Sequence, residues 1–354
     1  MILQMIKYSR NVLYILILFF CVTESFSQDL NIGNQLFKTG NWKSTIDFGH
    51  QTLPISYYDR DSNNSPPAIT KDSSNVSNIS ASRVIISTAG LAAAITALHI
   101  YQYNAWWKNE RIGFHVIEDA SYQADFDKAG HTFGAYYSSH FFDEAFQWTG
   151  MDSSLSTLFG ALSGAIWEYY VEIEDGFARD WGFSRGDAKA DLTGATFYLL
   201  RNRIPFLRNF NYKWFYVPTD KLLKNQPDIP GQSVNFIEDY GGQSYFLTAD
   251  IHGILPQSLK PYWPSWLNLA LGVGGYNINT VNHNWMLGDA FIYRQKAWYI
   301  SLDYDIEKVF PESDSPILNF LRRSFNYWHF PAPAFRFFPN PRFFILFPLQ
   351  MSIG

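Results

Sequence analysis

The sequence predicts a mainly α protein, a compact membrane-associated helical bundle followed by an aromatic-rich, partly irregular C-terminal region. Three observations lead there. Residues 84–107 carry no formal charge, the segments 126–148, 153–175 and 187–200 pattern as helices with short connections, and proline and aromatic residues recur without a steady period after Pro205.

The opening 27 residues have the form of a signal peptide. Lys7 and Arg10 give a positive start, residues 12–22 are apolar, and Ser25-Phe26-Ser27 ends on a small residue before Gln28. The apolar run is short for a bilayer span, which favours cleavage after Ser27 over an uncleaved anchor. Cys21, the single cysteine, follows Phe19-Phe20 rather than the small residues that precede a lipid-modified cysteine. With cleavage after Ser27 the mature chain has no cysteine, so disulfides and thiolate chemistry are excluded. Residues 28–80 are polar, with Asp, Ser, Asn and Pro dense from Asp59 onward, and read as a linker too poor in apolar material to repay its ordering.

Composition points to a membrane surface. Charged residues make up 17% of the chain, against roughly 25% in soluble globular proteins. Aromatic residues reach 18%, a balance suited to lipid-facing surface and interfacial Trp and Tyr. A mean hydropathy of −0.15 argues against a transporter built from many long spans. The net charge of −5 gives no reason to expect nucleic acid as a partner.

Residues 81–204 form the expected four-helix core. The first helix, about 84–107, is long enough to cross a bilayer, with Trp106-Trp107 beside Lys108 as an interfacial anchor; a buried helix packed through Gly90 and Ala92 to Ala94 is the alternative. The second runs from about Phe126 to Trp148. The third, about Ser153 to Asp175, has Asp152 or Ser153 as its cap and carries Gly160, Ser163, Gly164 and Ala165, small residues that admit a close neighbour. A turn at 182–186 precedes the fourth, about Asp187 to Leu200. Residues 205–354 are expected to pack on this core. Alternation at 298–304 suggests a strand, although 302–307 equally begins a helix, and the aromatic segment 335–347 suits either a membrane interface or a cover over the bundle. Regular alternating segments are too few for an outer-membrane barrel.

The ionisable residues in this apolar frame pair at helical spacing. Asp127 and His131, Glu168 and Glu172, and Asp187 and Asp191 are each four apart, so each pair shares a face, and Asp175 extends the stripe of the third helix. Asp127, His131, Glu168, Asp187 and Asp191 are the candidate catalytic residues. His131, Glu168, Glu172, Asp175, Asp187 and Asp191 are the candidate ligands of a divalent metal ion, the one cofactor this donor set suggests. The competing reading is a structural network in which Asp127 caps the second helix and the acids pair with Lys128, Arg179, Arg185 or Lys189. His99, His140 and His252 sit among apolar neighbours and read as hydrogen-bonded structural residues. The zinc signature His-Glu-x-x-His and the hydrolase signature Gly-x-Ser-x-Gly are absent. Gly272-Val273-Gly274-Gly275, ahead of His283 with Asn282 and Asn284, lacks dinucleotide spacing, so no nucleotide is expected.

Through Asp127-Lys128-Ala129-Gly130-His131, Gly134, Gly164, Glu168 and the run Gly182 to Asp187, then Asp191 and Gly194, the chain resembles the YfiM-like family of bacterial envelope proteins, some of them predicted periplasmic lipoproteins. The likeness covers roughly residues 82–310. More distantly the chain is similar to VanZ-like membrane proteins, matching Asp127, Lys128, His131, Glu168 and Asp187 but carrying Asp191 where those proteins have asparagine. The resemblance implies a helical core and an exported, envelope-associated location, in the periplasm or at the outer membrane. The expected function is a membrane-associated structural or assembly role, with membrane lipid and another envelope protein as partners. The alternative is a metal-dependent or acid–base hydrolase acting on a lipid or cell-wall intermediate.

Overall fold

The computed structural model describes residues 79–119, 122–226, 234–276 and 295–348. The signal peptide with Cys21, the linker up to residue 78 and the His283 segment lie outside the described residues. The chain divides into two units, Met1–Tyr101 and Gln102–Gly354.

In the first unit stands helix α1 (Ala81–Gln102). The stretch Ala81–Trp107 is, among the described residues, the one helix long and apolar enough to cross a membrane, and only 11% of its apolar window is buried. Its last turn, Tyr103–Trp107, belongs to the second unit and is a π-turn. Trp107 there is buried and its indole N–H donates to Asp175 Oδ1, while the Trp106 indole donates to Glu238 Oε1. Both rings thus pair with acids of the protein.

The second unit begins with helices α2 (Phe126–Trp148), α3 (Ser153–Asp175) and α4 (Arg185–Arg203), which pack pairwise. Asp152 caps α3 by accepting from the amides of Ser154 and Leu155, as its position before the apolar run predicts. Close approach is written into the small residues: a Cβ on Gly164 would strike Ser139 of α2, and one on Gly194 would overlap the Thr132 carbonyl. A two-stranded parallel ladder, β1 (Val116–Ile117) with β2 (Phe183–Ser184), ties the segment before α2 to the start of α4.

The rest is a sheet. Strands β3 (Phe210–Tyr216), β4 (Gln243–Ala249), β5 (Leu267–Tyr276), β6 (Gln295–Tyr304), β7 (Ala334–Phe338) and β8 (Arg342–Phe344) pair antiparallel in chain order, with helix α5 (Pro316–Phe325) inserted before β7. The mainly α bundle with an irregular C-terminal region is therefore corrected to an α+β protein carrying a six-stranded antiparallel sheet. The reason lies in the strand composition. Both faces of β3 and β4 hold aromatic residues, which hides the period of two, and Gly272 and Gly274 of β5 are small because the Phe246 ring at the first, and the Ser244 hydroxyl with the Tyr299 ring at the second, occupy the space of their side chains. One face of the sheet packs on α2, with Phe126, Phe133 and Tyr136 meeting Trp214 and Tyr245 in a core shared with Tyr198 of α4. Phe215, Phe246, Tyr299, Phe344 and Phe347 form a second core on the opposite face.

Candidate cation-binding site

Helices α2, α3 and α4 bring together the ionisable pairs that the spacing marks. At the centre is His131 on α2, its side chain 17% exposed. Its Nδ1 lies 3.0 Å from Asp191 Oδ1 of α4. Its Nε2 points to the other side, 3.6 Å from Glu172 Oε1 of α3 and 4.0 Å from both Asp127 Oδ1 and Asp187 Oδ1. Those separations are too long for good hydrogen bonds. They suit a cation, because ligand atoms each held at about 2.0–2.2 Å from an ion stand roughly 3–4 Å from one another.

Two overlapping groups have converging donor atoms: Asp127, His131 and Asp187 on the Nε2 side, and His131, Glu168 and Asp191 on the Nδ1 side. The hydrogen bond to Asp191 occupies Nδ1, so the Nε2 side is the one left for an ion. Asp191 then does what carboxylates do behind metal-binding histidines, fixing the ring orientation and the tautomer. Its other oxygen, Oδ2, is buried and has no hydrogen-bond partner among the described residues.

Neighbouring backbone elements hold the acids in place. Ser184 caps α4 through the Asp187 amide, its own amide donates to Glu172 Oε2, and its hydroxyl donates to Asp119 Oδ1. The β1–β2 ladder, which pairs Ile117 with Ser184, is what carries Asp119 to this point. Tyr240, just before β4, donates its hydroxyl to Asp127 Oδ1 at 2.6 Å, and Ser138 donates to Glu168 Oε1. Asp127 does not cap α2: the residue at the cap is Asp125, in the left-handed region at φ 64°.

The positive charge at the cluster comes from Lys128, whose Nζ lies 2.8 Å from Asp119, 3.1 Å from Asp127 and 2.8 Å from Asp187. The other cations that the structural reading invoked are engaged elsewhere. Arg179 pairs with Glu110, Arg185 with Glu118, and Lys189 is exposed. Five carboxyl groups, those of Asp127, Glu168, Glu172, Asp187 and Asp191, thus surround His131 with one lysine among them.

The protonation states follow from that imbalance. Burial pushes Glu172 up to about 9, with Asp175 and Asp187 adding to the shift against the pull of His131. Burial raises Asp175 to about 7 despite its hydrogen bond from Trp107. Glu168 and Asp187 are raised for the same first reason, and the charges of Asp191 and Asp127 respectively add to it. Burial alone would lower His131, but Asp191, Asp127 and Asp187 outweigh it and hold the imidazole well above its ordinary value. Burial would likewise raise Asp119, and hydrogen bonds from Lys128 and Ser184 reverse the direction.

Residues 115–203 match a family model. Its description is predicted periplasmic lipoprotein (DUF2279). No curated protein and no solved structure matches the chain. The DUF2279 stretch spans β1 to α4 and holds every acid of the cluster together with Lys128 and His131. It agrees with the location read from the signal peptide: the protein is exported and envelope-associated.

Among the sequence candidates, Asp127, His131, Glu168, Glu172, Asp187 and Asp191 meet around one ring. Glu172 and Asp175 lie outside the two converging groups, Glu172 with Oε1 3.6 Å from His131 Nε2 and Asp175 with its Oδ1 taken by Trp107. Asp127, expected as a catalytic partner of His131 and not as a ligand, faces Nε2 beside Asp187. Asp119, Ser184 and Tyr240 escaped the sequence reading. Ser184, three residues before Asp187 at a helix start, is the one with a legible signal. His140 and His252 are hydrogen-bonded structural residues, to Ser324 and to the Trp263 carbonyl.

Proposed function

We propose that the cluster is a divalent-cation site and that the chemistry it serves is hydrolysis of an ester or phosphoester in a lipid or cell-wall intermediate. The observation that carries the proposal is the empty-handed side of His131: Nε2 faces three carboxylate oxygens across 3.6–4.0 Å while Asp191 holds Nδ1 from behind. An ion bound there supplies Lewis-acid polarisation of the scissile group. The chain's own residues supply the rest. Asp127 and Asp187 with His131 would hold the ion, Glu172 stands beside them with Oε1 3.6 Å from Nε2, and Asp191 orients the ring. The envelope location supports lipid and cell-wall intermediates as the substrate class.

A structural or assembly role is the second reading, favoured by the contacts of Lys128 with three carboxylates. Elemental analysis of detergent-purified protein, prepared without chelators alongside a folded His131→Ala variant, separates the two. A stoichiometric divalent metal that disappears with His131 supports the cation site. Metal-free protein that also fails to bind Zn²⁺, Mn²⁺ or Mg²⁺ on titration leaves the structural network as the account.

A further inference from the structure

We infer that the cluster holds a second cation, bound through oxygen alone between Glu168 of α3 and Asp191 of α4, on the side of His131 away from Nε2. The inference rests on the reading of the cluster as a cation site and adds to it an ion of a different chemical class. Donor atoms of Glu168, Asp191 and His131 converge within 4.8 Å of one another. His131 Nδ1 is committed to Asp191 Oδ1 at 3.0 Å, so what this side offers an ion is carboxylate.

Asp191 Oδ2 is the atom that calls for a ligand. Asp191 is 1% exposed, and this oxygen is buried without a hydrogen-bond partner among the described residues. A buried carboxylate oxygen left unmatched carries a desolvation cost that a cation beside it removes. Lys128 does not remove it, because its ammonium is shared among Asp119, Asp127 and Asp187. Among the described residues no lysine or arginine pairs with Glu168 or Asp191. An ion at Nε2 does not remove it either, since Asp127 and Asp187 converge there and Glu168 and Asp191 belong to the other group. Helix α2 makes room for this second group: a Cβ on Gly134 would stand 3.0 Å from Glu168 Oε1, in the space the carboxylate needs. Ser138, one turn further along α2, fixes that oxygen with a hydrogen bond of 3.2 Å.

The donors select the class of ion. Two carboxylates without a free imidazole suit a hard cation, and Mg²⁺ is the one held by one or two carboxylates while water and substrate phosphate oxygens complete its shell. The Nε2 side, with a nitrogen among its donors, suits Zn²⁺ or Mn²⁺ instead.

The test is equilibrium dialysis of the full chain, purified in detergent, against Mn²⁺, which accepts both mixed and all-oxygen donor sets, with bound metal counted per chain. The expected result is two equivalents in the parent, one in Glu168→Gln and one in Asp127→Asn. Excess Mg²⁺ should displace the equivalent that Asp127→Asn retains and spare the one that Glu168→Gln retains. If Glu168→Gln fails to fold, Glu168→Asp, which keeps the charge and shortens the reach, should weaken the same equivalent and leave the other. A single equivalent that survives Glu168→Gln and is lost in Asp127→Asn overturns the second site while the histidine site stands, and a proton shared by Glu168 and Asp191 then becomes the account. Two equivalents that both survive Glu168→Gln put the second ion elsewhere and overturn the inference as well. Protein that binds no Mn²⁺ at all removes both sites together.

Discussion

His131 Nδ1 stands 3.0 Å from Asp191 Oδ1, and the other carboxylate oxygen of Asp191 is buried without a hydrogen-bond partner among the described residues. An acid so placed has one evident use, which is to keep a proton on Nδ1 and leave Nε2 for whatever occupies the opposite side of the ring. In the metal-free protein that occupant is a second proton, since the surrounding acids raise His131 well above its ordinary value. A divalent ion and that proton compete for the same nitrogen, so binding releases protons.

Asp191→Asn keeps the shape and removes the charge. The expected outcome is a folded protein whose affinity for Zn²⁺ or Mn²⁺ falls by roughly 10–100-fold, the usual cost of losing a carboxylate behind a histidine ligand. The His131 pKa should fall at the same time, because Asp191 is the largest influence holding it up. Calorimetric titration reads the first effect and the imidazole proton resonances the second. Unchanged affinity together with an unchanged pKa would remove Asp191 from its orienting role.

Stability of the metal-free protein should fall as pH rises. Glu172 and Asp175 are raised by burial to about 9 and about 7, from 4.5 and 3.8 in an unfolded chain. Between those limits the unfolded chain releases protons that the folded chain retains, so each unit of pH favours unfolding. His131 acts in the same direction: its contribution is complete below 6.5 and is lost as pH climbs through its raised folded value. Asp119, lowered by Lys128, acts oppositely and only at acid pH, below 3.8. Urea midpoints measured from pH 5 to pH 9 should therefore decline, and saturating divalent cation should flatten the decline by replacing the bound protons.

Lys128→Met removes the cation that touches Asp119, Asp127 and Asp187. Leaving buried carboxylates without their counter-charge costs about 3–5 kcal/mol, and the metal-free variant should lose stability on that scale in urea unfolding. Divalent cation should restore much of the loss if it sits among the same oxygens. A variant as stable as the parent would show that solvent, not Lys128, compensates these acids.

Helices α2 and α3 were legible to the residue, because Asp152 and the small residues of α3 mark both a start and a packed face. The convergence of the acids was legible too, since a spacing of four on three neighbouring helices leaves few other arrangements. What the sequence hid was long-range. Asp119 reaches the cluster through a two-residue ladder, and Tyr240 through a sheet lying more than a hundred residues downstream of Asp127. The sheet itself was obscured because both of its faces carry apolar residues: Leu267 to Gly274 alternates large with small, not apolar with charged, and the pattern that marks a water-facing strand is missing.

Within the sheet, Ser301, His329 and Asp303 follow one another in the hydrogen-bond order of a hydrolase triad, with His329 Nδ1 2.9 Å from Asp303 Oδ1 and Nε2 3.4 Å from Ser301 Oγ. Their burial decides against chemistry, for Ser301 and His329 are each 2% exposed and Asp303 is 0% exposed. Ser301 also donates to the Leu302 and Pro333 carbonyls, and Lys213 Nζ completes the set 2.8 Å from Asp303 Oδ2. Burial would raise Asp303, but Lys213 and His329 outweigh it and hold the carboxyl below its ordinary value, while burial keeps His329 neutral. The network is a buried ion pair with two hydrogen-bonded supports. Asp303→Asn, which strands the lysine charge, should cost about 3–5 kcal/mol, whereas Ser301→Ala, which gives up neutral hydrogen bonds, should cost roughly 1 kcal/mol. Urea unfolding of the two variants checks the ratio, and esterase activity abolished by Ser301→Ala at unchanged stability would instead make the triad a working one.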